Sequence, residues 1–254
     1  MRKNISSRKG FSLVEVVIAI GLVAVLLTTF MAVFGPAQKN ISNTIRVAEA
    51  NKIEHPLEKK TAILRPGEDD YTTAFDKAFQ WIKDSHDEDN AIIIYQYHAL
   101  PNSENPDGTL QVAVDGNKKS LITDDQKLPG VDYITQTVAR RLDKADAAVL
   151  SAELSPGIVQ GAVYAVRMTQ LYNKGGSSGL ELLTNGNELK PGIVNPSDDG
   201  NVLADSSLYE EAYVTLQVEF FPLNNNLHAY VTNGPWEFDK LGSPVATQNI
   251  AVRR

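Results

Sequence analysis

The sequence of 254 residues contains no cysteine. Disulfide bonds, cysteine nucleophiles and thiolate zinc sites are therefore excluded. An apolar core must hold the fold together, and a chain of this length can supply one. The chain has four histidines, His55, His86, His98 and His228. Their spacing does not match the paired histidines of a metal site.

Sequence signatures of catalysis are also missing. The chain has no G-x-S-x-G motif, no P-loop and no dinucleotide-binding glycine pattern. Residues 84–89 and 196–201 are rich in carboxylates, but their spacing does not match an EF-hand loop. We interpret the first as a solvated helix end and the second as a turn. We therefore expect no enzyme, no cofactor and no bound metal.

Basic residues are scarce beyond the first ten positions. Four of the 24 basic residues lie in residues 1–10, which contain no acidic residue, and the other 20 stand against 31 acidic residues. Nucleic acids and anionic lipids require clustered cations. The acidic body therefore predicts no nucleic-acid partner.

One long apolar run, residues 11–34, directly follows the basic segment. It is long enough to cross a bilayer. The preceding cations predict that the amino terminus stays in the cytoplasm and the body lies outside. Glu15 is the only charged residue between Lys9 and Lys39. Because a carboxylate in this position costs roughly 2.5–3.5 kcal/mol on insertion scales, it requires a partner.

Three interpretations of this segment compete. A secretory signal peptide has an apolar region of about 7–15 residues, shorter than this run, and a small-x-small cleavage site, which residues 34–36 lack. A plain single-span anchor explains the length and the orientation of the run. It does not explain Glu15.

The third interpretation is based on the sequence KGFSLVE, residues 9–15. It resembles the processing site of type IV prepilins and type II secretion pseudopilins. The resemblance implies that prepilin peptidase cleaves between Gly10 and Phe11 and methylates the new amino terminus of Phe11. Glu15 would be the fifth residue of the mature chain. In a filament its carboxylate can pair with the amine of a neighbouring subunit, which would fix the register of assembly.

The resemblance implies a structural subunit of a type IV pilus or a type II secretion pseudopilus. Its partners would be prepilin peptidase, the inner membrane before assembly, and other pilin or pseudopilin subunits through the amino-terminal helix. Gly21 and the lack of a cysteine-bounded carboxyl-terminal loop favour a minor or lineage-specific subunit. The motif is shared by pili, secretion pseudopili and DNA-uptake fibres. The alternatives are a monomeric bitopic protein with an extracytoplasmic ligand-binding head, or a membrane-tethered enzyme.

We expect four segments, namely a cytoplasmic leader (1–10), a transmembrane or filament-core helix (11–35), a continuation of this helix (36–56) and an extracytoplasmic head (57–254). Gly35-Pro36 predicts a kink or local break near Phe34. Apolar residues at helical spacing predict that a second helical segment ends at about Glu54. Pro56 is the reason for this end.

The fold class predicted for the head is α+β, with an antiparallel sheet packed against the amino-terminal helix. Helices are expected over residues 71–83 and 142–154, and strands over 91–99, 109–114, 158–172 and 211–221 and from Ile134. Residues 105–108 predict a first hairpin, and residues 224–226 predict a second one with 227–233 as its returning strand. Residues 174–205 have the composition of a long loop.

Overall fold

A computed structural model describes residues 12–64, 70–115, 119–173, 179–185, 188–195 and 202–254. The predicted cleavage site at Gly10 and Phe11 lies outside these residues. The chain divides into two compact units, Met1–Ile45 and Arg46–Arg254. Each unit is described by itself.

Helix α1, Leu13–Ala62, is 50 residues long and contributes to both units. It continues through Pro36 and Pro56, so no break occurs near Phe34 and the predicted end near Glu54 is wrong. A proline removes one backbone donor from a helix. The helix-forming residues on both sides continue to add one hydrogen bond per residue, so the helix propagates past each proline.

From Val16 to Phe34, α1 carries apolar side chains around its whole circumference and no charged residue. Every side chain from Leu13 to Phe34 is exposed in the isolated chain, and the rings of Phe30 and Phe34 stack with centroids 4.7 Å apart. A helix without a polar face belongs in apolar surroundings. The segment Leu13–Gln38 is long and apolar enough to cross a membrane, judged by length and composition.

The second unit is built on a seven-stranded antiparallel sheet. Its central path is β2-β1-β4-β8-β9, with β3 paired to β1 and β5 paired to β4. A separate hairpin joins β6 and β7. The strands are β1 (Ile92–Glu104), β2 (Leu110–Val112), β3 (Ile134–Arg141), β4 (Val159–Asn173), β5 (Leu180–Leu182), β6 (Thr184–Asn185), β7 (Glu188–Leu189), β8 (Tyr213–Pro222) and β9 (Ala246–Arg253).

Helices cover both faces of the sheet. Besides α1 they are α2 (Ala74–Asp84), α3 (Ala147–Glu153) and α4 (His228–Asn233). One core contains Phe79 and Ile82 of α2 together with Leu57 of α1, and the other contains Leu150 of α3 and Val231 of α4. Alternate residues of the central strand β1 enter the two cores, which explains its nearly continuous apolar sequence.

Lys77 of α2 lies at the end of α1. Its side chain is fully buried, and its Nζ donates a hydrogen bond of 2.9 Å to the carbonyl of Ile63, one residue past the helix. Helix ends expose carbonyls without intrahelical partners and carry partial negative charge. Lys77 therefore stabilises the carboxyl-terminal end of α1 inside the second unit.

The α+β fold class, with its long amino-terminal helix and antiparallel sheet, is confirmed. The first hairpin is confirmed as well, since β1 pairs with β2 and Gly108 adopts a φ of 73° in the turn. The second hairpin is wrong. Residues 228–233 form α4, and the partner of β8 is β9, which pairs with it over eight residues.

Two predictions failed near the carboxyl terminus, since a strand is predicted where α4 lies and β9 is not predicted. Asn225 accepts a hydrogen bond from the amide of Leu227 at 2.9 Å, which turns the chain into α4 instead of a returning strand. Val231 then packs in the core, and its carbonyl accepts a hydrogen bond from the Trp236 indole at 3.1 Å. In β9 Ile250 and Val252 enter the core, a pattern too short to identify a strand without its partner.

Candidate functional site

Glu15 lies in the first turn of α1 and forms a reciprocal pair of hydrogen bonds with Ser12. The Ser12 amide donates to Glu15 Oε2 at 3.0 Å, and the Glu15 amide donates to Ser12 Oγ at 3.2 Å. The carbonyl of Ser12 accepts the first intrahelical bond, from Val16, at 3.2 Å. This arrangement is a capping box, which satisfies two amide donors that a helix otherwise leaves open.

The capping box changes the energetic argument about Glu15. Its carboxylate already has a hydrogen-bond donor within its own chain, so part of the cost of an apolar environment is offset before any neighbour arrives. The Ser-x-x-Glu spacing before an apolar run is the sequence signal of this box. Sequence reasoning identified Glu15 but missed Ser12.

The two oxygens of the Glu15 carboxylate differ in their surroundings. Oε2 accepts the hydrogen bond from Ser12, whereas Oε1 accepts none from the part of the chain that the structure describes. An ionised carboxylate offers about four acceptor positions on its two oxygens. Within the described residues, Oε1 can therefore accept a further hydrogen bond.

The other hydroxyls of the apolar segment are already bonded within the helix. Thr28 donates to the carbonyl of Ala24, and Thr29 donates to the carbonyl of Val25 at 2.8 Å. Side chains that bond to their own helix require no polar partner outside it. Among the side-chain oxygens of the described residues from Leu13 to Phe34, Oε1 of Glu15 is thus the one that takes part in no hydrogen bond.

The second unit contains a buried charged network around Arg140. Its Nε and Nη2 donate to both carboxylate oxygens of Glu153, at 2.7 and 2.6 Å, and its Nη1 donates to Asp107 at 2.9 Å. The Tyr95 hydroxyl also donates to Glu153. Such two-point guanidinium–carboxylate pairs are strong and directional. The network joins β1, β3, α3 and the turn of the first hairpin.

Burial and hydrogen bonding together shift the pKa values of Tyr95 and Asp107 in this network. Burial raises the pKa of the Tyr95 hydroxyl well above its usual value, with the nearby Glu153 carboxylate adding to the effect. Burial alone would raise the pKa of Asp107 too, but hydrogen bonds from Thr109 and Arg140 bring that pKa down to about 2. The same contacts raise the pKa of Arg140, so Arg140 and Asp107 are both held in their charged forms near neutral pH.

A cleft of about 280 Å³ lies beside this network. Three of its lining cations are already paired, since Arg140 contacts Asp107 at 2.9 Å, Arg141 contacts Asp84 at 2.9 Å and Lys144 contacts Asp70 at 2.7 Å. Among its lining residues there is no nucleophile beside a general base.

Three of the four carboxylates of residues 84–89 are used within the fold. Asp84 pairs with Arg141, Asp87 accepts a hydrogen bond of 2.8 Å from the Asn90 side chain, and Glu88 accepts one of 3.3 Å from the Phe238 amide. No group of three or more ligating side chains that could hold a metal occurs within the described ranges. Residues 196–201, the second acidic segment, lie outside those ranges.

The comparison with protein families places a known signal over the start of α1. Residues 5–31 match the family model of the prokaryotic N-terminal methylation motif. This match contains Glu15 and Ser12 as well as the predicted cleavage site. Comparisons with curated proteins and with solved structures found no match to the chain. The chain carries, over residues 5–31, the prokaryotic N-terminal methylation motif, which is the type IV prepilin-type signal.

Proposed function

We propose that the protein is a structural pilin-like subunit, and that prepilin peptidase cleaves it between Gly10 and Phe11 and methylates Phe11. The observation that carries the proposal is the match of residues 5–31 to the methylation motif, directly at the start of a helix able to cross a membrane. Before assembly the subunit is anchored in the bacterial inner membrane, with residues 57–254 outside the cytoplasm.

Assembly is driven by the exposed apolar surface of α1. Large side chains around its circumference are exposed in the isolated chain, among them Leu13 at 80% and Leu26 at 68%. Contact with the same helices of neighbouring subunits removes this surface from lipid or water and packs it closely. The partners are other pilin or pseudopilin subunits, in a type IV pilus or a secretion pseudopilus in which this chain is a minor or lineage-specific subunit.

Glu15 sets the axial register in this proposal. Cleavage places a positive amine on Phe11, and the carboxylate of Glu15 in one subunit pairs with that amine in the next. A charge pair in a low-dielectric filament core is much stronger than in water. A shift of register would leave both charges unpaired, which is strongly unfavourable.

The mass of the amino-terminal peptide from isolated membranes tests the proposal. A peptide that begins at a methylated Phe11 is the expected result. A peptide with an intact leader would refute the processing and would support a plain membrane anchor. Cleavage after the apolar run would identify a secretory signal peptide instead and would equally refute the proposal.

Filament formation needs a separate measurement. Mature subunits should be recovered in a sedimentable fraction that can be sheared from cells or released from the periplasm. If the methylated chain stays in the membrane as a monomer in cells that have a working assembly system, the structural role is refuted. The chain would then be cleaved and methylated but would not polymerise.

A further inference from the structure

We infer that the second unit carries both sides of a contact between copies of this chain, in which an acidic loop of one copy docks into an arginine cleft of the next. The acidic loop is residues 121–133, between β2 and β3. The arginine cleft is a depression of about 550 Å³ formed by the end of α1, the start of α2, residues 206–207 and the end of β9. The inference rests on the proposed function, because it names the contact that the heads make within a filament.

The acidic loop presents apolar side chains at its tip. Leu128 and Val131 are each more than half exposed, and the Val131 amide donates to the Leu128 carbonyl at 3.2 Å, so the two lie together. A group of exposed apolar side chains favours an interaction surface. The loop also contains three aspartates and one lysine, which gives it a net charge of −2.

Hydrogen bonds within the acidic loop hold this tip in one shape. The Gly130 amide donates to the Tyr133 carbonyl at 2.7 Å, and the Leu128 amide donates to the Asp132 carboxylate at 2.9 Å. Gly130 adopts a φ of 84°, which glycine tolerates and other residues avoid. A loop that is ordered before contact loses little conformational entropy when it docks.

The arginine cleft has the opposite charge. Arg253 and Arg254 line it, no acidic side chain is among its lining residues, and neither guanidinium forms an ion pair within the part of the chain that the structure describes. The Asp76 carboxylate, outside the lining, already accepts hydrogen bonds from the Thr72 amide at 3.1 Å and the Ser206 hydroxyl at 3.0 Å. The cleft therefore offers two cations to an incoming acidic group.

Apolar side chains border the arginine cleft, as they do the tip of the acidic loop. Leu208 follows the lining residue Ser207, and Tyr213 lies opposite Arg253 in the ladder between β8 and β9. Both Leu208 and Tyr213 are more than half exposed. Docking would bury apolar surface on both partners and bring charges of opposite sign together.

The acidic loop and the arginine cleft lie at opposite ends of the sheet. At the base of the loop, the Ser120 hydroxyl donates to the Gly157 carbonyl at 3.0 Å, just before β4 begins. At the cleft, Arg253 pairs with the first residue of β8, close to where β8 meets Leu171 near the end of β4. The 15 residues of β4 separate the two sites by roughly 40 Å.

This placement determines the kind of assembly. Subunits anchored in one membrane through the same helix all point the same way, which excludes an antiparallel pair. Two acidic loops repel each other, and so do two arginine clefts. The contact is therefore heterologous, and it continues from copy to copy as a helical filament requires.

Because the chain has no cysteine, introduced cysteines test this contact without background. The full-length chain, in cells that assemble it, carries Gln126→Cys in the acidic loop together with Ser207→Cys in the arginine cleft, two exposed positions, and is oxidised before electrophoresis. We expect a ladder of disulfide-linked dimers, trimers and larger species. Each single-cysteine chain should stay monomeric. The control pair Gln126→Cys with Thr247→Cys, exposed near the other end of β9, should also stay monomeric.

Charge reversal gives a second readout. Asp125→Arg and Arg253→Glu should each leave cleavage and methylation unchanged but lower the mature subunit in sheared filaments about fivefold, since like charges then meet. Both changes in one chain should restore the yield. Asp125 is exposed, and the hydrogen bonds that hold the acidic loop do not involve it, so its substitution leaves the loop folded.

Five results would overturn the inference. They are filaments without a ladder, dimers as the largest cross-linked species, an equally strong ladder in the Thr247→Cys control, cross-linking to a different protein in place of the ladder, and failure of the double charge reversal to restore assembly. An uncleaved or monomeric wild-type chain would refute the proposed function as well. A wild-type chain that is cleaved and assembled, with a double-cysteine chain that forms no ladder, would refute this contact alone.

Discussion

Replacement of Arg140 by methionine tests the buried charged network of the second unit. The Arg140 side chain is 9% exposed and its partner Glu153 is 1% exposed. The substitution keeps an apolar stem of similar length but leaves the Glu153 carboxylate buried without its cation. Breaking one side of a buried pair costs roughly 3–5 kcal/mol in unfolding free energy. For a unit of this size, that corresponds to a fall in Tm of roughly 10 °C.

The assay is denaturant unfolding of the full-length chain in detergent, followed by tryptophan fluorescence. The chain has two tryptophans, Trp81 and Trp236, and both are buried in the second unit, so the signal reports on the sheet and its helices. A fall in the midpoint with an unchanged slope would identify a loss of stability rather than a change in the exposed surface.

Two further variants make this prediction refutable. Arg140→Met combined with Glu153→Gln removes the orphaned charge and keeps an acceptor for the Tyr95 hydroxyl, so most of the lost stability should return. Lys144→Met breaks an ion pair whose side chains are 51% and 65% exposed, and it should leave the midpoint unchanged. If Arg140→Met were no more destabilising than Lys144→Met, or if the double variant recovered nothing, the reasoning would be wrong.

Three other predictions concern processing, assembly and pH. Gly10→Val should accumulate as an uncleaved precursor, because a branched side chain at the scissile position should not fit the peptidase; a mature Phe11 terminus by mass spectrometry would contradict this. Glu15→Val should be inserted and cleaved but recovered in filaments at no more than about a tenth of the wild-type level, since the proposed intersubunit charge pair would be lost; wild-type yields of sheared filament would rule out the register role. Asp107 has a folded pKa of about 2, below its unfolded value of 3.8, so its contribution to stability is complete above pH 4 and is lost as the pH falls toward 2. In unfolding measurements across that range, Asp107→Asn should have a flatter pH dependence than wild type, and identical profiles would exclude Asp107 as the group responsible.

The sequence was most informative where a pattern was long or chemically specific. The apolar run predicted a spanning helix, and KGFSLVE predicted the processing signal that the family comparison bears out. The apolar stretches at residues 158–172 and 211–221 predicted two of the central strands, β4 and β8, and both strands are buried along most of their length. In each case the physical cause lies within one segment of the chain.

Features that depend on two distant segments were missed. Arg140 and Glu153 pair only because β3 and α3 meet in the fold, and neither residue has a local signature. Strand β9 is recognisable by its eight-residue pairing with β8. The extension of α1 to Ala62 was missed for a different reason. A proline predicts the end of a helix, but a long helix such as α1 can absorb the loss of single hydrogen bonds.

The self-bonded threonines of α1 have a consequence for movement between environments. A helix whose hydroxyls donate to its own carbonyls can exchange lipid neighbours for protein neighbours without breaking a polar contact. Lipid chains and leucine side chains are similarly apolar, so the exchange is governed by the closeness of packing. These threonine hydroxyls therefore give α1 no preference for lipid or for protein neighbours. The polar side chain of this segment that can distinguish the two surroundings is the carboxylate of Glu15, near the start of the helix.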